Sequence, residues 1–267
     1  MRSDHTPPAA ERGRAAPDAD SPDRVIERDP LEGDSRLPAL FGDAWPAVSG
    51  FHDLLVDQGV LRGLVGPREV SRLWERHLVN SAAVVPFLPT TGQIVDVGSG
   101  AGLPGVVIAA MRPEVEVVLL EPMERRTDWL TEVVERLGLD NARVVRGRAE
   151  DQVGELRADA VTARAVAALS KLYPWTLPLL AVGGELVALK GGRAADEVAD
   201  GQNLMESLGG GAVRIETAPT LAGLDPTTVV VVKKDSEGTA PVRTTSVPRE
   251  TPGARRGRRA TKKGSRR

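Results

Sequence analysis

One segment of the chain concentrates the residue types that could hold a charged ligand: Asp96-Val97-Gly98-Ser99-Gly100-Ala101-Gly102-Leu103-Pro104-Gly105. Alternate glycines behind an acid let the backbone turn tightly and approach a ligand closely, and a helix opening after the turn adds a positive dipole end. Glu121 stands 21 positions after Gly100, at the end of the next apolar run, where a carboxylate could accept hydrogen bonds from ribose hydroxyls. A further run ends in Gly147-Arg148-Ala149-Glu150-Asp151. An acid there could reach a ligand bound across the strand ends, or serve only as an N-cap or first-turn carboxylate of a helix. Arg164 ends the fourth run, and its guanidinium could grip a carboxylate or phosphate in bidentate fashion or pair with Asp96 or Glu150.

The elements that must position these residues show in the apolar period. Residues 37–60 and 69–88 place Leu, Val, Trp and Phe at helical spacing, with a break at Arg62-Gly63 and Gly66-Pro67, and predict a small helical cap. From residue 93 short apolar runs alternate with helical stretches. Strands are expected over 93–97, 115–120, 142–145, 158–162 and 184–189, and helices over 103–111, 125–137, 169–180 and 194–208. Two last strands, 213–216 and 228–232, have no helix between them and are expected to form an antiparallel hairpin at one edge. The fold class is therefore α/β, a mostly parallel doubly wound sheet. Ligands of such sheets bind beyond the carboxyl ends of the strands.

Composition narrows the chemistry. The 267 residues include no cysteine, which excludes disulfides, Cys-based zinc and thiol nucleophiles. No apolar run approaches the roughly 18 to 20 residues of a membrane span, and the first residues are charged where a signal peptide would be apolar. A cytoplasmic protein with no membrane partner is expected. The net charge of −2 conceals a division along the chain. Residues 1–36 carry 6 Lys+Arg against 9 Asp+Glu, residues 37–234 carry 19 against 25, and residues 235–267 carry 10 against 3. Segment 1–36 has few large apolar side chains and is expected to be disordered, and 235–267 is expected to be a disordered basic tail. Such a tail suits a polyanion, either as a nucleic-acid arm or simply as a solubilising extension. His77, Lys190, Arg125 and Arg126 could then contact RNA or shape the cleft. For each a structural or solvated role stands beside that one.

Two cofactors compete for the glycine loop. A dinucleotide fingerprint requires glycine at position 103, where the chain has Leu103. The pattern present, D-x-G-x-G-x-G, resembles the S-adenosyl-L-methionine loop of class I methyltransferases, and a terminal antiparallel strand is typical of that fold. Glu121 suits either cofactor. Pyrimidine C5 methylation needs a cysteine, and exocyclic amine methylation in its usual form needs an Asn/Asp-Pro-Pro-aromatic tetrad; neither is present. A ring nitrogen with an in-plane lone pair needs alignment and no general base.

With Arg76-His77-Leu78-x-Asn80-Ser81 before the loop, and Arg148-Ala149-Glu150, Ala163-Arg164-Ala165 and Leu189-Lys190-Gly191 after it, residues 37–234 resemble the bacterial 16S rRNA 7-methylguanosine methyltransferase G family, also known as glucose-inhibited division protein B. The resemblance implies methylation of N7 of guanine 527 in the 530 loop of 16S rRNA, with S-adenosyl-L-methionine as cofactor and the small ribosomal subunit or an assembly intermediate as partner. It also implies cofactor contacts at Gly98, Leu103, Ala149, Glu150 and Arg164, beside Asp96, Gly100 and Glu121. It identifies no certain catalytic residue. Glu121, Asn80, Ala163 and Arg62-Gly63-Leu64 depart from the family's usual residues. A monomer of four parts is expected: extension 1–36, cap 37–91, cofactor domain 92–234 and tail 235–267. Rival readings are a methyltransferase for a small molecule or protein, and a catalytically silent ribosome-assembly protein. An NAD-dependent oxidoreductase is disfavoured by Leu103.

Overall fold

The computed structural model describes residues 28–164 and 167–239. Segments 1–27 and 240–267, on which most of the expected extension and basic tail fall, lie outside the described residues. Seven strands make one sheet: β1 Gly92–Val97, β2 Val115–Glu121, β3 Ala142–Arg146, β4 Ala158–Arg164, β5 Leu180–Lys190, β6 Gly210–Ala218 and β7 Thr227–Lys234. Their spatial order is β3-β2-β1-β4-β5-β7-β6. The first five are mutually parallel, and β7 is antiparallel to both β5 and β6. The expected hairpin is therefore present at the edge, with its second strand inserted against β5. The parallel run with an antiparallel edge is the arrangement expected from the sequence. Among the described residues, no helix is long and apolar enough to cross a membrane.

Strand alternation divides the interior in two. Ile94, Val117, Leu119, Val187 and Val229 point to one face, and Val95, Val97, Val118, Leu120, Val161 and Val230 to the other. The first face is covered by α4 (Gly105–Met111), α5 (Glu124–Leu137) and the cap. The second is covered by α6 (Leu169–Thr176) and α7 (Ala194–Ser207). Within the cap, α1 (Arg36–Phe41) and α2 (Trp45–Gln58) contribute Leu37, Phe41, Phe51 and Leu55 to the same core as β1 and β2. The cap and one face of the sheet thus share a single hydrophobic interior.

Several boundaries differ from the sequence expectation. The 69–88 stretch is not one α-helix but a 3-10 turn, a π-helix over Leu73–Val79, a short α3 (Asn80–Ala82) and a second 3-10 turn over Val85–Phe87. Pro86 has no N–H to continue a helical ladder there. The helix expected over 169–180 closes as a 3-10 turn over Leu177–Leu179, with Pro178 inside it, so β5 starts earlier than expected. Residues 28–36 and 235–239, assigned to the flanking segments, are folded. Asp29 is buried, its Oδ1 accepting the Leu31 N–H at 3.0 Å and its Oδ2 the Trp74 N–H at 2.8 Å. At the other end, the Asp235 N–H donates to Gly209 O and the Thr239 N–H to Ser207 O.

The Asp29 carboxylate caps the π-helix from 45 residues away. Asp29→Ala leaves the buried Trp74 N–H unpaired, which should cost about 1–3 kcal/mol. Thermal unfolding should move down by several degrees, roughly 2–4 °C per kcal/mol for a chain of this size. An unchanged Tm would show that this segment does not hold the cap.

Candidate functional site

The sheet order reverses between β1 and β4, so the loops leaving these strands diverge and open a crevice at their carboxyl ends. The glycine loop lines it. Gly98, Gly100 and Gly102 have φ of 72°, 57° and 106°, in the left-handed region that favours glycine. Gly98 extends the β1–β2 ladder by donating its N–H to Leu120 O at 2.8 Å. A Cβ on Gly102 would lie 2.7 Å from Val106 Cγ2 and 3.0 Å from Phe51 Cζ, so the cap presses directly on the loop. Helix α4 starts at Gly105, two residues later than expected, with Pro104 as its N-cap and the Gly105 amide donating to the Asp96 carboxylate at 3.0 Å.

Asp96 is 1% exposed, and its Oδ1 has no hydrogen-bond partner among the described residues. Burial pushes its carboxyl up to about 6. An orphaned acceptor at the head of a cleft fits a ligand cation such as an ammonium group. Glu121 is also buried and is already engaged: its Oε2 accepts the Gly100 N–H and its Oε1 the Met123 N–H, each at 3.0 Å. It braces the loop while each oxygen keeps a second lone pair for a hydroxyl donor. Arg126 approaches it to 3.7 Å and lines the same cleft, whereas Arg125 is exposed.

Across the crevice, Arg164 makes neither of the ion pairs considered from sequence. Its Nη1 donates to Arg76 O at 3.1 Å and its Nη2 to His77 Nδ1 at 2.8 Å. The other imidazole nitrogen, Nε2, lies 2.8 Å from Glu69 Oε2. Arg164, His77, Glu69, Gly98, Gly100 and Leu103 surround a cavity of about 280 Å³, whose outer wall is Leu64, Val65 and Gly66 of the cap. On the other side of Gly98 a second cavity of about 190 Å³ is lined by Val97, Leu120, Pro122, Ala149, Glu150 and Trp175. Of the residues named from sequence, His77, Gly98, Gly100, Leu103, Arg126 and Arg164 line the first cavity and Ala149 and Glu150 the second, Asp96 and Glu121 are buried at the strand ends beside the loop, Arg125 is exposed, and Lys190 lines neither cavity. That side chain is only 10% exposed; it donates to Ala167 O at 2.9 Å and pairs with Glu197 at 2.6 Å. Lys190 ties β5 to the loop after β4 and to α7, and it lines neither cavity.

Glu69 and Trp175 were not singled out from sequence, since neither stands at a strand end or in a motif. A larger recess of about 710 Å³ lies at the opposite end of the sheet. Its charged side chains are already engaged, Asp159 with the Gln93 N–H and Glu185 with Arg214, so the chemistry belongs to the crevice.

Asp96 also links the cleft to stability. A carboxyl whose folded pKa is raised opposes folding once ionised: the penalty is absent below about pH 4, grows up to about pH 6, and is about 2–3 kcal/mol above that. Asp96→Asn keeps an acceptor for Gly105 and removes the charge. It should gain about 2 kcal/mol at about pH 7.5 and little at about pH 4, as measured by urea unfolding. Equal stability of the two proteins at the higher pH would contradict this assignment.

The model of the family GidB, described as rRNA small subunit methyltransferase G, matches residues 45–220. The ribosomal RNA small subunit methyltransferase G of Thermobifida fusca is 50% identical over 199 residues, covering 72% of this chain and 84% of that protein. The protein of the same name from Mycobacterium marinum is 48% identical over 225 residues, covering 83% and 97%. The matched span carries the glycine loop, both cavities and the cap segment that closes over them, and with identity near one half along most of both chains, this protein belongs to the rRNA small subunit methyltransferase G family.

Proposed function

We propose that this chain is an S-adenosyl-L-methionine-dependent enzyme that methylates N7 of guanine 527 in the 530 loop of 16S rRNA. The observation that carries this reading is the division of the cleft at Gly98 into two chemically different halves. One half is lined by Arg164, whose guanidinium suits the carboxylate of an amino acid, and the unpaired Asp96 oxygen, buried two residues before Gly98, is the acceptor nearest to hand for its ammonium. The other offers Val97, Leu120 and Trp175 for a flat ring and Glu150 for its polar edge. Glu121 stands between them at the end of β2, with lone pairs left for ribose hydroxyls.

S-adenosyl-L-methionine bound there supplies a sulfonium methyl, and the chain's own residues bind, orient and exclude water. Guanine N7 presents an in-plane lone pair, so approach and alignment suffice and no residue has to remove a proton first. His77 fits this account: both of its ring nitrogens are engaged, by Arg164 and by Glu69, and neither is free to act as a base. A covalent route through a thiolate is excluded, because the chain has no cysteine.

Exposed Arg68, Arg76, Arg125 and Arg148 flank the crevice on the loops and helices that form its mouth, and among the described residues none has an ion-pair partner. These cations, with the tail, form an electrostatic path for a phosphate backbone. Residues 240–267 hold 10 Lys+Arg against 1 acid. The protein acts as a monomer in the cytoplasm, on the small ribosomal subunit or an assembly intermediate.

Incubation with labelled cofactor and small subunits lacking the modification, followed by mapping of the label, tests the reading. Label should appear on N7 of guanine 527; rRNA without label would overturn it, and label on another nucleotide would move the target. Removal of residues 240–267 should weaken rRNA binding and flatten its salt dependence, by about 0.7–0.9 in log–log slope for each phosphate that the tail no longer neutralises. Cofactor affinity should stay in place. An unchanged slope would show that the tail does not touch RNA.

A further inference from the structure

Arg164 faces the polar half of the cleft together with Arg126, yet no carboxylate lies within ion-pair distance of its guanidinium among the described residues. Its two contacts within the protein are neutral acceptors on the π-helix, the Arg76 carbonyl and His77 Nδ1. Guanidinium nitrogens only donate, and the group does not deprotonate in a protein. The hydrogen in the 2.8 Å contact therefore belongs to Arg164, and His77 Nδ1 must present its lone pair. That fixes the tautomer: the ring proton resides on Nε2 and is donated to Glu69 Oε2 at 2.8 Å.

We propose that His77 and Glu69 are positioning residues for the cofactor site, holding Arg164 toward the cleft through the unprotonated Nδ1, and that a proton taken up by His77 releases Arg164 and weakens cofactor binding. This rests on the assignment of the cleft to S-adenosyl-L-methionine. The arrangement steers the guanidinium without neutralising it, so its full charge remains for a ligand carboxylate. An aspartate in place of His77 would hold the arginine more tightly but compete for the same charge.

The charged groups facing His77 act in opposite senses. Arg164 on β4 and Arg76 on the same π-helix disfavour a second positive charge, and Glu69 from the preceding turn favours it. Asp96 on β1 lies behind Arg164, and Arg126 on α5 lines the same cavity. Burial is the largest influence on His77 and, with Arg164, pushes its pKa below the ordinary histidine value. The imidazole is thus neutral at neutral pH and takes its proton only in acid. A protonated Nδ1 would then turn its N–H against those of Arg164.

The test is calorimetric affinity for S-adenosyl-L-methionine over about pH 5 to 7.5 in the full-length protein and three variants. The wild type should lose affinity as pH falls through the acid end of this range. His77→Asn, whose Oδ1 takes the place of Nδ1, should recover most of the affinity that His77→Leu forfeits. It should also lack the part of the acid decline that belongs to the imidazole, leaving the part due to Asp96. His77→Leu should bind about tenfold more weakly at neutral pH, the expected loss of one hydrogen bond to a charged group. Glu69→Gln keeps the acceptor and removes the charge that favours protonation, so its decline should move to lower pH. Full affinity in His77→Leu, or identical pH profiles in wild type and His77→Asn, would overturn the proposal. Nitrogen NMR of the wild-type imidazole gives a check that needs no variant: Nδ1 should be unprotonated at neutral pH, and a protonated Nδ1 would also overturn it. Absence of wild-type binding at every pH would reject the cofactor assignment itself, and this inference with it, whereas binding that ignores His77 would reject the inference alone.

Discussion

A desolvated carboxylate at the carboxyl end of β1 is the constraint around which the functional end of the molecule is arranged. Asp96 is buried without a countercharge in contact, and one oxygen is taken by the first amide of α4. That contact requires glycine at position 105, because a Cβ there would meet Leu119 Cδ2 and come within 2.5 Å of Asp96 Oδ2. It also sets where α4 starts, and so how the glycine loop must turn between strand and helix. The second oxygen remains unpaired, an expense in stability that a cationic ligand group would offset.

The cap completes what the sheet leaves open. Phe51 packs against the glycine loop, Trp129 Nε1 donates to Ala101 O at 2.9 Å, and Arg62 lies over the Trp129 ring at 5.3 Å while pairing with Glu132. The loop is thereby clamped between the sheet and α2 before any ligand arrives. On the facing wall, the π-helix presents a carbonyl and an imidazole nitrogen to Arg164 from 88 and 87 residues earlier in the chain. Affinity and orientation in such a cleft come from groups held in place beforehand, which reduces the ordering cost on binding. The β1–β4 reversal supplies the opening, and the cap supplies its shape.

Much of this was legible in the residue order, because strand and helix periods and glycine placement are local signals. The strand ends at Asp96, Glu121 and Arg164 and the Ala149–Glu150 turn could be located by counting along alternating runs, and the structure brings them to one crevice. Features that depend on partners distant in sequence were not legible. Lys190 reads as a strand-end cation until Glu197 and the Ala167 carbonyl are seen beside it. Asp29 sits in a stretch with the composition of a disordered extension, and only the Trp74 amide 45 residues away gives its carboxylate a place. Trp175 and Glu69 stand in no motif, and their contribution comes from where α6 and the turn before the π-helix are packed.

The amino-acid sequence by itself determined the alternation of strands and helices, the glycine loop with its acid, and the absence of thiol chemistry. Each follows from side-chain size, period and backbone freedom within a few residues. The tertiary structure decided which charges are available. It removed Lys190 from the site, engaged both oxygens of Glu121 in bracing the loop, left one oxygen of Asp96 unpaired, and set the His77 tautomer by placing Arg164 on one nitrogen and Glu69 on the other. Whether a charged group serves a ligand or the fold depends on what lies within about 3 Å of it, and packing determines that distance.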